Sequence, residues 1–532
     1  MRGMSSKQTH QERNVMALHE FLTLVILISL LVSPSFSDNI PPNIRTWCSQ
    51  TSYPQSCEYY MGHHPHSSFL SGHLDSKKLA MQIALDQAIQ AESNNMLLGP
   101  KCRNEREKAA WTDCIELYKN TIARLNLTVN PGAKCTDVDL QTWLSTALTN
   151  LETCRTGFVE LGVSDYILPL MSNNVSKLIS NILAINKPVA LPNEQTYHEG
   201  FPTWVSPRDR KLLQATALAS RAILVVAQDG SGNFKTINEA INAAAKQNTG
   251  GRFVIQVKAG TYAEHLHIGS PNLMLVGDGI GNTVITGSMS VGGGSTTFNS
   301  ATVAVVGDGF IARDITFRNT AGPGKGQAVA LRSGSDLSVF YRCSFEGYQD
   351  TLYVHSERQF YRECAIYGTV DFIFGNAAVV LQNCNIFSRK PINGVVTVTA
   401  QGRIDPNQNT GIVIHTSQIT AASDLKPVQS SVKAYLGRPW RQYSRTVILK
   451  SFLDNLIQPV GWLEWSGSFG LNTLYYGEYQ NTGPGSSTAN RVKWGGYRVI
   501  TSVAEASKFT VGNFIAGSSW LPASNVPFTS GL

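Results

Sequence analysis

Long apolar runs, metal-ligand spacings and the acidic clusters typical of calcium sites are scarce or absent in this sequence. Its one long apolar run, Phe21–Val32, is too short to cross a bilayer comfortably, and no later segment resembles a membrane span. Basic residues precede this run, and the small residues Ser35 and Ser37 follow it, which predicts a secretory signal peptide over 1–37. A retained signal anchor is the alternative. These absences argue against a multi-spanning membrane protein and against metal-dependent chemistry.

The chain has 532 residues, which is too long for one compact core, so two domains are expected. In a secreted protein, cysteines are expected to form disulfides, and the odd count of nine predicts one free thiol. Six cysteines lie in the first half and three in the second: Cys48, Cys57, Cys102, Cys114, Cys135 and Cys154, then Cys343, Cys364 and Cys384.

The excess of positive charge is confined to the second half of the chain. Residues 214–532, the expected second domain, hold 25 Lys and Arg residues and 18 Asp and Glu residues. This half therefore has a net charge of +7, and the rest of the chain has none. Such a balance favours a polyanionic partner.

The first half has the apolar spacing of amphipathic helices. Residues 45–186 show this spacing with short connections, which predicts a helical bundle within a domain spanning 38–190. The sequons at Asn126 and Asn174 fit glycosylation of a secreted surface, and no sequon follows residue 214.

A proline-rich linker is expected over 191–213. It ends in RDRKLLQ (208–214), and a dibasic pair in a linker is where a processing protease would cut. Such pairs also arise by chance, so the motif alone does not decide the matter.

The second half consists of short β-branched runs that alternate with Gly and Asn, which predicts a sandwich, barrel or solenoid. Cys343, Cys364 and Cys384 are 21 and 20 residues apart, and Asp350 and Asp371 are 21 apart. A period near 21 predicts a parallel β-helix, in which adjacent coils lie ~4.8 Å apart. Cys364 and Cys384 are then predicted to form a disulfide, which leaves Cys343 free.

An acidic residue, Asp371, stands in the apolar segment GTVDFIFGNA, where burial of an ion is costly unless a partner offsets it. In the predicted register, Gln327, Gln349, Asp350 and Asp371 form a polar column. A structural ladder would explain the two glutamines but not two acids one coil apart. The functional alternative is a carboxylate pair with split titration, one nucleophile or base and one acid, beside amides that stabilise an oxyanion.

An ionised Asp371 needs a cation, and YLGRPWRQYSR offers Arg438 with Trp440 beside it. A bidentate pair between Arg438 and Asp371 would keep the carboxylate charged and oriented. The alternatives are a solvated loop charge for Arg438 and a packing aromatic for Trp440.

These residues resemble the signature segments of plant pectin methylesterases over about residues 220–532. The segments are GQAVALR, YQDTLYVHSERQFY, GTVDFIFGNA, YLGRPW, GTYAEH, TAQGRIDPNQNTGIVI and YYGEYQNTGPG. The first half resembles the pectin methylesterase inhibitor fold through CSQTSYPQSC, DCIELY and TWLSTALTNLETCRTGF. The RKLL at 210–213 resembles the processing site between the two halves.

The resemblance implies a four-helix inhibitor-like pro-region and a right-handed parallel β-helix that removes methyl esters from pectin, with no metal and no cofactor. It implies that Asp371 is the nucleophile, and that Asp350 acts first as acid and then as base. Gln327 and Gln349 match oxyanion-stabilising positions, and Arg438 matches the partner of the nucleophile. The substrate contacts that it implies are Thr297, Gln327, Arg438 and Trp440.

The resemblance also implies the disulfides Cys48–Cys57 and Cys114–Cys154, which leaves Cys102–Cys135 by elimination only. It implies secretion to the plant cell wall and a monomer that acts on pectin rather than on nucleic acid. The pro-region would inhibit the enzyme or assist its folding. Separate inhibitor proteins and a processing protease would be further partners.

Three competing functions are weighed against this interpretation. Paired carboxylates also serve glycosidases. A pectate lyase would need a calcium cluster, which the sequence lacks. A wall-binding or inhibitory module with a silent β-helix is the non-enzymatic alternative, and the set Asp350, Asp371 and Arg438 argues against it. Methanol release without new reducing ends or unsaturated products would separate the enzymatic alternatives.

Overall fold

The computed structural model describes most of both predicted domains. The described residues are 40–65, 73–132, 135–186, 197–198, 201–202, 224–246 and 251–532. The predicted signal peptide and the RKLL segment lie outside them, so both stay predictions, as do the domain boundaries. No helix among the described residues is long and apolar enough to cross a membrane.

The first half is helical, as its apolar spacing predicts. Its described helices are α1 (Pro42–Cys48), α2 (Pro54–Gly62), α3 (His73–Met96), α4 (Glu105–Val129), α5 (Asp137–Glu160), α6 (Ile167–Leu170) and α7 (Val175–Ile185). The four longest, α3, α4, α5 and α7, pack as a bundle around one apolar core. Asn104 caps the start of α4, and Thr136 forms a capping box with Asp139 at the start of α5.

Two disulfides hold the helical half. Cys48 is bonded to Cys57 between α1 and α2, and Cys114 is bonded to Cys154 between α4 and α5, which are the pairings that the resemblance implied. The pairing of Cys102 with Cys135 is wrong, because Cys102 precedes α4 and Cys135 follows it. A helix of 25 residues is ~37 Å long, so the two thiols lie at opposite ends of the bundle.

The second half is a parallel β-helix with a short helix, α8 (Ile237–Ala245), near its start and two more, α9 (Val503–Ser507) and α10 (Val511–Phe514), near its end. Its first strands are β3 (Leu224–Val226), β4 (Phe253–Val257), β5 (Gly260–Ala263), β6 (Leu266–Ile268), β7 (Leu273–Gly277), β8 (Thr283–Gly287), β9 (Val303–Val305), β10 (Ile311–Arg313) and β11 (Thr316–Asn319). An antiparallel pair, β1 (Tyr197–His198) and β2 (Phe201–Pro202), lies in the predicted linker.

The central coils follow with β12 (Leu331–Ser333), β13 (Ser338–Tyr341), β14 (Ser344–Glu346), β15 (Leu352–Val354), β16 (Arg358–Arg362), β17 (Ala365–Gly368), β18 (Val370–Gly375), β19 (Ala378–Gln382) and β20 (Asn385–Ser388). The last strands are β21 (Val395–Gln401), β22 (Gly411–His415), β23 (Gln418–Ala421), β24 (Lys433–Gly437), β25 (Arg445–Leu449), β26 (Phe452–Leu453), β27 (Tyr475–Tyr479) and β28 (Tyr497–Val499).

The coils stack these strands into three parallel sheets of eleven, eight and seven strands. The seven-stranded sheet has the order β24-β21-β18-β15-β12-β9-β6. Phe360 pairs with Val339 on one side and Val380 on the other, so the central coils repeat every 21 and 20 residues, as predicted. Val380 pairs with Val413, a repeat of 33 residues, because longer loops enter the later coils.

The three cysteines of the second half occupy equivalent positions on successive coils. Each stands one residue before Ser344, Ala365 or Asn385, and these three residues pair with one another between adjacent strands. The predicted bond between Cys364 and Cys384 is nevertheless wrong, because Cys343, Cys364 and Cys384 are all free and buried. Residues in register on parallel strands direct their Cβ atoms side by side at the strand spacing of ~4.8 Å, whereas a disulfide needs ~3.8 Å between Cβ atoms. The Cys364 thiol instead donates to the Phe340 carbonyl at 3.3 Å.

We expect thiol titration of the native chain to modify only Cys102 and Cys135, which are partly exposed. The three thiols of the β-helix core should react only after unfolding, because none is more than 1% exposed. Non-reducing peptide mapping is the control, and a peptide pair that joins Cys364 to Cys384 would contradict the structure.

Candidate active site

The predicted polar column lies beside the seven-stranded sheet and opens into a cavity of about 320 Å³. Six predicted residues line this cavity: Gln327, Gln349, Asp350, Asp371, Arg438 and Trp440. Asp371 lies within β18, and the others lie just before β12 or β15 or just after β24. These four strands are neighbours in the sheet apart from the intervening β21. Thr297 is buried at the start of a short 3-10 turn, and it does not line this cavity.

A β-bulge explains how an acid fits into the apolar segment around Asp371. The register between β18 and β21 shifts between Val370 and Ile373, and Asp371 has a φ of 52°. This left-handed conformation is uncommon for a non-glycine residue, although Asp tolerates it better than most. Phe372 and Ile373 are fully buried in the core, while the Asp371 carboxylate reaches the cavity.

Two side chains hold the Asp371 carboxylate. Arg438 Nε donates to Oδ1 at 2.9 Å, and Arg438 Nη2 donates to Oδ2 at 2.7 Å. The Thr397 hydroxyl donates to Oδ1 at 2.6 Å and accepts the Asp371 backbone N–H at 2.9 Å. The guanidinium of Arg438 also lies 4.4 Å from the ring centroid of Trp465. One bidentate cation and one hydroxyl donor thus fix the position and orientation of the Asp371 carboxylate.

Asp350 occupies the equivalent position one coil earlier, because each acid stands two residues before the paired Leu352 and Ile373. It too has a left-handed φ, of 61°. Burial, and then the negative charges of Asp371 and Glu160, raise the pKa of Asp350 well above its ordinary value. No hydrogen-bond partner of its Oδ1 occurs among the described residues. The site thus pairs a carboxylate held by a cation with a neighbouring acid whose pKa is raised, which is the kind of unlike pair that the predicted division of roles requires.

The amides of Gln327 and Gln349 line the same cavity as the two acids. They come from successive coils, and the Ala328 N–H donates to the Gln349 carbonyl at 3.2 Å. Both side chains thus border the same space as the two carboxyl groups.

Sequence reasoning missed three residues at the site. Thr397 supports Asp371, and Trp465 and Arg441 line the cavity. Arg441 stands in the quoted YLGRPWRQYSR segment, so it was visible as a second arginine near Arg438. Thr397 and Trp465 carried no signal, because loops of irregular length separate them from Asp371 along the chain.

The helical half covers this face of the β-helix. The residues Arg155, Thr156, Val159 and Glu160 of α5 complete the cavity wall. The Glu160 carboxylate accepts the Thr297 N–H at 3.1 Å, which places an acidic side chain at the predicted substrate position. Other polar pairs across the interface include Arg124–Asp308, Arg124–Glu357, Asp139–Arg358, Glu152–Arg441, Asp113–Thr296, Thr153–His355 and Ser180–Asp405.

Comparisons with known proteins agree with this two-part architecture. The family model described as Pectinesterase matches residues 223–518, and the one described as Plant invertase/pectin methylesterase inhibitor matches residues 42–185. Pectinesterase 2 of Citrus sinensis is 66% identical over 97% of this chain and 100% of its own length. The chain belongs to the pectinesterase family.

Two further members are informative about the architecture of this pectinesterase. Probable pectinesterase/pectinesterase inhibitor 17 of Arabidopsis thaliana is 62% identical over 97% of this chain and 100% of its own length. The solved structure described as Pectin methylesterase from Carrot is 61% identical, with a TM-score of 0.58. It matches 58% of this chain but 98% of its own, so the solved carrot chain corresponds in extent to one half of this chain.

Proposed function

We propose that this pectinesterase hydrolyses the methyl esters of galacturonate residues in cell-wall pectin and yields methanol and acidic pectin. The observation that carries the proposal is the pair of unlike acids: Asp371 held by Arg438, and Asp350 with a raised pKa one coil away. Such a pair supplies a nucleophile and a proton donor in one water-accessible cavity.

The geometry supports a two-step reaction. Asp371 attacks the ester carbonyl, and the amides of Gln327 and Gln349 stabilise the oxyanion. Asp350 donates its proton to the departing methoxide, so methanol leaves and an acyl-enzyme anhydride forms. Asp350, now a carboxylate, takes a proton from water that attacks the anhydride. The galacturonate carboxylate then departs, and Asp371 and protonated Asp350 are restored.

Thr397→Val should lower turnover by about ten-fold or more, because it removes the hydroxyl that donates to Asp371 Oδ1 while it keeps the side-chain volume. The bound Asp371 N–H also loses its acceptor, so the bulge should be less well held. Methanol release from pectin measures the effect, and Thr397→Ser should restore most of the activity. Equal losses in both variants would show that the hydroxyl does not position the nucleophile.

We also propose that the helical half is an autoinhibitory pro-region. Its α5 residues line the catalytic cavity, and Glu160 binds the N–H of Thr297, which the resemblance marks as a substrate contact. A polymer chain could not enter the cavity while α5 lies there. The alternative is a pro-region that only assists folding and secretion. In either case we propose secretion to the cell wall, cleavage by a protease near RKLL, and action as a monomer that separate inhibitor proteins also recognise.

Inhibition by the pro-region should weaken as the pH rises from about 5 to about 8. Burial raises the pKa of Asp113 to about 7, and Thr296, Arg332, Glu116 and Glu160 are the groups around it. A pKa raised on docking means that docking binds a proton, so this contribution is complete near pH 4 and is lost as the pH passes about 7. Burial raises the pKa of Glu160 in the same direction.

The ratio of specific activities, full chain cut at 210–213 after folding over the isolated 214–532 fragment, measures this effect at each pH, because an uncut linker would keep the pro-region docked. It should rise several-fold over the range, and Asp113→Asn should flatten the rise. A ratio that does not change with pH would contradict the assignment.

The decisive experiment for the function itself is product analysis of the two proteins on methyl-esterified pectin. We expect the 214–532 fragment to release methanol without new reducing ends or unsaturated products, and the full chain to be much less active. Reducing ends would indicate a glycosidase, and unsaturated ends would indicate a lyase.

A further inference from the structure

Arg441 lies at the catalytic cavity but has no acidic partner within its own half of the described chain. Its Nη2 contacts the Glu152 carboxylate at 3.0 Å and donates to the Thr156 hydroxyl at 2.8 Å, and both partners belong to α5 of the pro-region. Within the catalytic half it lies 4.8 Å from the ring centroid of its neighbour Trp440 and makes one long hydrogen bond, of 3.4 Å, to the Trp440 carbonyl.

Removal of the pro-region would therefore leave the Arg441 guanidinium at the cavity without the Glu152 carboxylate and the Thr156 hydroxyl that bind it. This cation is in the same cavity wall as Trp440 and Arg438. Arg438 already pairs with the Asp371 carboxylate through Nε and Nη2, so its charge is balanced within the catalytic half. Of the two arginines of YLGRPWRQYSR that line the cavity, Arg441 is thus the one that can bind a charged ligand in the cleft.

The polymer assigned by the proposed function carries such ligands. Each galacturonate residue has either a neutral methyl ester or a free carboxylate at the same carbon. When one ester lies against Asp371, the neighbouring sugars present their own carboxyl groups along the cleft. A planar guanidinium recognises a carboxylate through paired hydrogen bonds and gains little from a methyl ester, which has no charge.

We propose that Arg441 is a carboxylate subsite of the cleft, which binds a free galacturonate carboxylate near the ester that is cleaved. In the precursor the carboxylate of Glu152 fills this subsite. This inference rests on the proposed function and adds a specificity to it: the enzyme acts best on an ester that has a free acid in the adjoining position.

The test uses the 214–532 fragment, released by a specific protease site at 210–213 after the full chain has folded, and thermal unfolding checks that each fragment is folded. Arg441→Gln is compared with Lys246→Gln, a matched charge removal at an exposed residue just after α8, at the far end of the β-helix. The substrates are fully methyl-esterified oligogalacturonides and half-esterified ones of the same length.

On the half-esterified substrate, Arg441→Gln should raise KM about ten-fold with kcat changed less than two-fold, the effect of one lost charge-assisted pair. On the fully esterified substrate, KM and kcat should both stay within two-fold. Lys246→Gln should behave as wild type on both. If Arg441→Gln changes KM equally on the two substrates, or on neither, the proposal that Arg441 binds a carboxylate is wrong.

A second measurement does not depend on turnover. De-esterified oligogalacturonate should inhibit the wild-type fragment competitively, with an inhibition constant about ten-fold lower than for Arg441→Gln and with marked salt dependence. Inhibition that is the same for both proteins would also overturn the proposal. A wild-type fragment that releases no methanol from either substrate would instead contradict the proposed function, so the two failures are distinguishable.

Discussion

Asp371→Asn should leave the 214–532 fragment folded and reduce methanol release by at least about a thousand-fold, because loss of a nucleophile typically costs several orders of magnitude in rate. An amide cannot form the acyl-enzyme anhydride at this position. The Asn side chain keeps the size of Asp, so the bulge between β18 and β21 can still form, and its oxygen can accept from Thr397 or from Arg438.

The loss of charge should also lower the stability of the fragment. Asp371 is 4% exposed and pairs with Arg438 through two hydrogen bonds, so Asp371→Asn leaves a partly buried guanidinium without its anion. Asp424→Asn is the matched control, because Asp424 is exposed and its contact with Arg389 is long, at 3.4 Å. Thermal unfolding monitors the fold of both variants. A folded Asp371→Asn protein that retains a tenth of the wild-type turnover would contradict the assignment.

The regular central coils explain why the acids could be placed from sequence. Asp350 and Asp371 are 21 residues apart on coils that repeat every 21 residues, so their stacking follows from spacing alone. The same register placed Cys364 beside Cys384 correctly. The period alone could not exclude a bond, because it fixes which residues are neighbours on adjacent coils and not the distance between their Cβ atoms.

Residues from the less regular coils could not be placed in this way. Thr397 reaches Asp371 across a repeat of 26 to 27 residues, longer than the 21 of the preceding coils, and a bulge shifts its register. Trp465 comes from a long loop after β26. The helical half illustrates a different limit: its fold follows from apolar spacing, but its docking on the cavity depends on single charged pairs that no periodicity reveals.

One of these pairs joins the pro-region to an acidic stack. Asp308, Asp336 and Glu357 occupy equivalent positions on successive coils. Each stands three residues before Ile311, Val339 or Phe360, which pair with one another between adjacent strands. Arg358 binds Asp336 at 3.0 and 2.6 Å. Arg124, from α4 of the pro-region, binds Asp308 at 2.7 Å through two nitrogens and contacts Glu357 at 2.8 Å. Two of the three stacked acids thus take their cation from the pro-region.

This arrangement makes Arg124 a large contributor to docking. Its side chain is 5% exposed, and Glu357 is fully buried, which raises the pKa of Glu357 well above its ordinary value. Truncation of one member of a buried charge pair typically costs about 2–5 kcal/mol of binding free energy. Proton uptake by Glu357 would limit the loss, so we expect the lower end of this range, which corresponds to about a 30-fold rise in Kd.

A tether would hide a change of this size. A short linker gives the pro-region an effective concentration in the millimolar range, so it stays docked unless its own Kd approaches that value. The linker must therefore be cut before affinities are compared. A specific protease site in place of the RKLL segment at 210–213 allows this cut after the full chain has folded.

Arg124→Gln in the cut chain should raise the protein concentration at which half of the fragment's activity is recovered, by about 30-fold relative to the wild-type cut chain. Serial dilution with methanol release as the readout measures this concentration. Arg106→Gln is the control, because Arg106 is an exposed residue on the same helix. If this concentration shifts equally for the two variants, Arg124 makes no specific contribution to the binding free energy of the pro-region. If the uncut precursor already has the specific activity of the 214–532 fragment, the pro-region does not inhibit, and its role is in folding and secretion.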